Sequence, residues 1–168
     1  MRRRPENDKN MGKATIDATD RKILSLLIRN ARMPFLEIAR ECGISGAAIH
    51  QRVKKMEESG VIRGFRLEVD PTALGYNVSA MIGIRINDPS MNFEIIDGLK
   101  QIPEVVECHF VTGKYNIWTR VYCVDHEHLM HTIFDHILQL PEVSQTETFI
   151  SLSESFGRQV EIPNLGDE

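Results

Sequence analysis

The sequence predicts an α+β protein in two parts, an N-terminal winged helix-turn-helix and a C-terminal ferredoxin-like βαββαβ sheet. Three observations carry that prediction. Between Ile38 and Met56 a short helix stops at Gly43 and a second restarts behind a capping serine, Ser45. Residues 1–66 hold 15 Lys or Arg against 8 Asp or Glu, a balance of +7, whereas residues 67–168 hold 5 against 16, a balance of −11. Beyond residue 77 the apolar period alternates between strand and helix spacing, giving four strands and two helices in the order βαββαβ.

Length and composition agree with this division. A chain of 168 residues with 42% hydrophobic content has room for two small packed cores. No run approaches the roughly 18 apolar residues of a membrane span, and no apolar segment follows the basic N-terminus as in a signal peptide. The expected location is therefore cytoplasmic, with no membrane partner. Cys42, Cys108 and Cys123 are odd in number and form no CxxC pair, so they read as reduced thiols, mostly buried, with neither a disulfide framework nor a metal site.

The elements follow in order. Residues 1–13 are polar without apolar period and read as a disordered arm; residues 14–69 form the helix-turn-helix domain. Its first helix opens at Asp17 or Asp20 and turns Ile23, Leu26, Leu27 and Ala31 to one face. Pro34 stands in the first turn of the second, which carries Leu36, Ile38 and Ala39 inward and leaves through Gly43. The third places Ile49, Val53 and Met56 inward, and Val61–Val69 reads as a strand pair or extended wing. Residues 70–77 read as a linker and 78–155 as the sheet domain. In that domain strands over 78–86, 105–111, 117–124 and 143–152 alternate with helices over 91–101 and 125–140, the first of which turns Phe93, Ile96 and Leu99 inward. Residues 156–168 are left as a C-terminal tail.

A cationic module draws phosphate and an acidic one repels it, so the partner expected for the first half is double-stranded DNA. Small residues at the start of the third helix, Gly46 and Ala47 after Ser45, let a helix N-terminus approach phosphate or groove. His50, Gln51 and Arg52 carry donors and acceptors suited to base edges. Lys54, Lys55, Arg63 and Arg66 suit the phosphate backbone.

Taken together, these residues resemble a known family. Asp20-Arg21-Lys22-Ile23-Leu24, Asn30-Ala31-Arg32, Ala48-Ile49-His50-Gln51-Arg52-Val53-Lys54-Lys55-Met56, Leu74-Gly75-Tyr76, Thr112-Gly113-Lys114-Tyr115 and Thr146-Glu147-Thr148-Phe149-Ile150-Ser151-Leu152 lie in the order and spacing of Lrp/AsnC transcription regulators. The resemblance runs from about Ile16 to Leu152. It implies a DNA-binding regulator, associated with the nucleoid, whose second domain senses a small effector. It also implies dimers formed by paired sheets, commonly assembled to octamers, with the effector between neighbouring dimers.

By that resemblance the effector site comprises Thr112, Gly113, Lys114, Tyr115 and Asn116, with Gln145, Thr146, Glu147 and Thr148 contributing from another subunit. The chemistry suits an amino acid: free loop amides hold a carboxylate, and Asn116 or Glu147 offers a partner for an ammonium or amide group. Many relatives carry aspartate where this chain has Asn116. Asparagine is the first expectation for the effector, and no cofactor is expected.

Two other functions share the architecture. Some siroheme decarboxylases are built the same way, and His109 or the helix bearing His126, His128, His131 and His136 supplies groups that titrate. No nucleophile motif, phosphate loop or carboxylate pair accompanies them, and His128, His131 and Asp135 read as a solvated helix face rather than a metal site. The chain is thus expected not to be an enzyme. A nucleoid-architectural protein that wraps DNA without sequence preference would use the same third helix.

Overall fold

The computed structural model describes residues 15–163, which divide into two compact units. The first comprises residues 15–67 with 157–163; the second is Glu68–Phe156. The expected arm over residues 1–13 lies outside the described residues.

In the first unit, helix α1 (Ala18–Arg29) begins behind Asp17, whose carboxylate accepts from the Asp20 N–H at 2.8 Å while Asp20 accepts from the Asp17 N–H at 3.2 Å. This reciprocal cap satisfies two backbone donors that the first turn leaves open. Helix α2 (Phe35–Cys42) leaves through Gly43 at φ 68°, a left-handed conformation that glycine adopts without a Cβ clash. Ser45 then accepts from the Ala48 N–H at 3.2 Å and starts helix α3 (Gly46–Glu58). Ile23, Leu27, Ile38, Ala39, Ile49, Val53 and Met56 form the core, with Phe35 packed against it.

Three expectations change here, and one pair of alternatives is decided. Pro34 is the residue before α2 rather than within its first turn, so the inward stripe begins at Phe35. Leu36 is consequently 68% exposed. Ala31 lies beyond the end of α1 and is exposed. Of the two alternatives for residues 61–69, a strand pair does not form; the segment is irregular and is tied at its start by the Ile62 N–H to the Met56 carbonyl at 3.0 Å.

The second unit is a four-stranded antiparallel sheet of order β2-β3-β1-β4, from β1 (Val78–Ile86), β2 (Val105–Phe110), β3 (Ile117–Cys123) and β4 (Val143–Ser151). Alternation sends Val78, Ala80, Ile82, Ile84 and Ile86 of β1, and Ile117, Thr119, Val121 and Cys123 of β3, to one face. Helix α4 (Asn92–Leu99) and helix α5 (His126–His131) supply Ile95, Leu99 and Leu129 to the same core. The other face carries no helix. It presents Met81 and Gly83 of β1, Trp118, Arg120 and Tyr122 of β3, and Glu147 and Phe149 of β4.

Helix α4 is rotated from its expected phase. A 3₁₀ turn at Pro89–Met91 precedes it, and Ile95 with Leu99 takes the inward face instead of Phe93. Phe93 meets Phe110 edge to face at 6.5 Å between ring centres. Helix α5 starts at its expected cap, Asp125, which accepts from the His128 N–H at 2.8 Å, then widens into a π turn over Thr132–His136. That turn keeps Thr132 and Ile137, five residues apart, both buried. The segment expected to be a linker belongs to the second unit: the Asn77 N–H donates to the Val124 carbonyl at 3.3 Å.

Ile82 is fully buried between the flanking strands and the helices. Ile82→Ala is expected to destabilise the second unit by about 2–5 kcal/mol through lost burial and the cavity left behind. Denaturant unfolding followed by far-ultraviolet circular dichroism measures it.

Candidate functional site

Burial of Ile49, Val53 and Met56 fixes which side of α3 faces outward. Ala47, Gln51, Lys54 and Glu58 recur at intervals of four, three and four, and all are exposed. This row is the candidate nucleic-acid interface. Glu58, unremarked in the sequence, lies on it 3.8 Å from Lys54. Lys55 is exposed on one flank of the row, and on the other His50 packs edge to face on Phe35 at 4.5 Å. Gly46 sits close to Leu36, where a Cβ would lie 3.5 Å from its terminal methyl. Arg63 and Arg66 are exposed in the extended segment after α3.

Arg52 does not join this row. Its guanidinium turns toward α1, where one nitrogen meets Asp17 at 2.7 Å and Asp20 at 2.8 Å. The Asp20 side chain is only 8% exposed, so the pair is held where water screens it less than at the open surface. The hydrogen bonds that the guanidinium donates to Asp20, then to Asp17, raise its pKa. The Asp20 N–H, then Arg52, hold the Asp17 carboxyl below its ordinary value of 3.8. Expected as a base-reading group, Arg52 instead locks α3 to the cap of α1. Spacing on α3 alone did not reveal this, because the partners lie more than 30 residues away; the pair of aspartates at the start of α1 was the available signal.

The candidate effector loop lies between β2 and β3, with Thr112, Gly113 and Lys114 exposed and Gly113 at φ 110°. Lys114 Nζ reaches Glu147 Oε2 at 2.5 Å and stands 5.0 Å from the centre of the Tyr115 ring. A single chain therefore brings Lys114, Tyr115 and Glu147 together, where Glu147 was expected from another subunit. Asn116 serves the backbone instead: its side-chain oxygen accepts from the Ile86 N–H at 3.0 Å, and its own N–H donates to the Ile84 carbonyl at 2.9 Å. That oxygen closes the end of the sheet, a structural task beside the one expected toward an ammonium or amide.

Strand alternation also divides the β4 residues. Gln145 and Glu147 pair with Arg85 and Gly83 on the helix-free face, whereas Thr146 and Thr148 pair with Ile84 and Ile82 on the helix-covered face. The four cannot line one pocket within a chain. Sequence reasoning missed Trp118 and Phe149, whose rings lie 5.5 Å apart on the face that carries Glu147; the alternating pattern of β3 and β4 was the available signal.

Comparison with known proteins places both halves. Residues 16–63 match a winged helix-turn-helix DNA-binding family, and residues 79–160 match the Lrp/AsnC ligand binding domain. The chain is 37% identical over 145 residues to the regulatory protein AsnC of Escherichia coli K12, covering 86% of this chain and 95% of the relative. The structure of E. coli AsnC superposes with a TM-score of 0.81 at 36% identity, covering 88% of this chain and 99% of that one. A feast or famine regulatory protein from M. tuberculosis, described as complexed with L-methionine, superposes with a TM-score of 0.82 at 28% identity, covering 89% and 100%.

Arg52→Met is expected to lower the stability of the first unit by about 1 kcal/mol. Charge-assisted hydrogen bonds contribute about 1.5–3 kcal/mol, and solvent screening at the part-exposed guanidinium reduces this. Because the Asp17 pKa is lowered in the folded chain, its contribution is complete above 3.8 and is lost as pH falls through the lower folded value. Thermal unfolding of wild type and variant should differ at neutral pH and converge only in strong acid.

Proposed function

The chain belongs to the Lrp/AsnC family of transcriptional regulators, and from that premise we propose that it binds specific DNA sequences through α3 under the control of an amino acid. The observation that carries the DNA-binding reading is the outward row of Ala47, Gln51 and Lys54 on a helix whose N-terminus is capped and whose opposite side is core. Small Ala47 admits the groove wall, Gln51 has the carboxamide that pairs with adenine, and Lys54 and Lys55 neutralise phosphate. The regulator is not an enzyme on this reading and acts in the cytoplasm on the nucleoid.

The effector loop supports the second half of the proposal. Lys114 offers a cation for a carboxylate, and Glu147 offers an anion for an ammonium group. The methionine complex of the M. tuberculosis relative supports an amino acid as ligand, and the similarity to AsnC favours asparagine. The aromatic helix-free sheet face supports pairing of two chains, the family's dimer, and further assembly to octamers. A dimer would present two copies of α3 to successive major grooves about 34 Å apart. The effector acts by its different affinity for two assembly states.

Replacing Lys54 and Lys55 by alanine should weaken retardation of duplex DNA without changing particle size, and lower the slope of log affinity against log salt by about 1 for each lost phosphate contact. Unchanged retardation would contradict the assignment of α3. A thermal-shift screen of wild type against the twenty amino acids should find asparagine stabilising, and Gly113→Val should lose that response. A screen in which no amino acid stabilises the chain would overturn the effector reading.

A further inference from the structure

One row crosses the helix-free face of the sheet: Glu147 of β4, Gly83 of β1 and Trp118 of β3 are consecutive partners in the two ladders. The middle position has no side chain of its own. The Tyr115 ring fills it, lying so close that a Cβ built on Gly83 would stand 2.7, 2.7 and 2.9 Å from three ring carbons. Real Cβ contacts are essentially never that short. The atoms met are at the base of the ring, beside its attachment, so the ring cannot avoid a methyl group by a small movement of its tip.

Tyr115 is hemmed in on other sides as well. Trp118 lies 5.8 Å from it between ring centres, and the Lys114 ammonium stands 5.0 Å from its centroid while pairing with Glu147. Its hydroxyl oxygen is buried and meets no partner among the described residues, an arrangement that costs free energy unless another group supplies the hydrogen bond. One residue further on, Asn116 is fixed to the C-terminal end of β1 by two hydrogen bonds. The loop is thus pinned by Asn116 at its base and by Tyr115 on the sheet.

We infer that Gly83 is a positioning residue for the effector loop: by lacking a side chain it seats Tyr115 on the sheet, and that seat sets Thr112–Asn116 in the conformation that takes the ligand. Gly83 acts through Tyr115 and touches no ligand itself. The ligand clause rests on the effector reading above; the seat does not.

A double-mutant cycle of Gly83→Ala and Tyr115→Ala in the full-length protein tests this. Trp118, the chain's single tryptophan, reports ring placement without any ligand. Gly83→Ala should change its emission and the near-ultraviolet circular dichroism, and should add no further change in the Tyr115→Ala background. In titrations with L-asparagine, and with any amino acid that stabilises wild type, Gly83→Ala should weaken the response about tenfold, the equivalent of one lost hydrogen-bonded contact. Tyr115→Ala should weaken it as much and the pair no more. Additive effects, or an unaltered Trp118 signal in Gly83→Ala, would overturn the inference. Should no amino acid stabilise wild type, the effector reading fails, and the Trp118 cycle alone decides whether Gly83 seats Tyr115.

Discussion

The guanidinium of Arg52 meets two carboxylates that also cap α1, and this joint braces α3 in the orientation that burial of Ile49, Val53 and Met56 sets. Asp17 and Asp20 each have two tasks: they satisfy the open N–H groups at the start of α1, and they hold the one arginine of α3. A helix packed only through Ile49, Val53 and Met56 could roll about that apolar line. A charge-assisted contact at 2.7 and 2.8 Å on one flank, with His50 against Phe35 on the other, opposes the roll. The row Ala47, Gln51, Lys54 is outward because Ile49, Val53 and Met56 face the core, and both flanks brace it there.

The second unit solves a similar problem with a vacancy in place of a charge. β1 alternates large apolar residues toward the helices, and on its other face Gly83 leaves a gap one ring wide. Tyr115 occupies that gap, flanked by Trp118, with the Lys114–Glu147 pair beside it. Loop residues with little regular structure of their own thereby acquire a defined place from the strand beneath them. In both units the candidate site rests on side chains held by neighbours rather than by their own element alone.

Local features were legible in the sequence where local physics determines them. The caps at Asp17, Ser45 and Asp125 and the left-handed exit at Gly43 require only a few adjacent residues, and the structure shows each in its expected role. The strand and helix order follows from period alone. Phase was harder: a 3₁₀ turn before α4 moved the inward position from Phe93 to Ile95, and the start of α2 after Pro34 turned Leu36 outward. Arg52 looked like a base-reading group because its donors suit base edges, and the partners it meets in the folded chain depend on how α1 crosses α3. Among Gln145, Thr146, Glu147 and Thr148, contiguity in sequence was the wrong guide; alternation, visible in the same residues, divides them between two faces.

The central claim is that α3, held in this orientation, reads a sequence. Selection from a pool of random duplex DNA by the full-length protein tests it most directly, with the Lys54→Ala, Lys55→Ala variant run alongside. The account predicts enrichment of a two-fold symmetric motif whose half-sites lie about one helical turn apart, and failure of the variant to enrich it. A pool that stays random while being retained would contradict sequence-specific recognition, and equal enrichment by the variant would contradict the role assigned to α3.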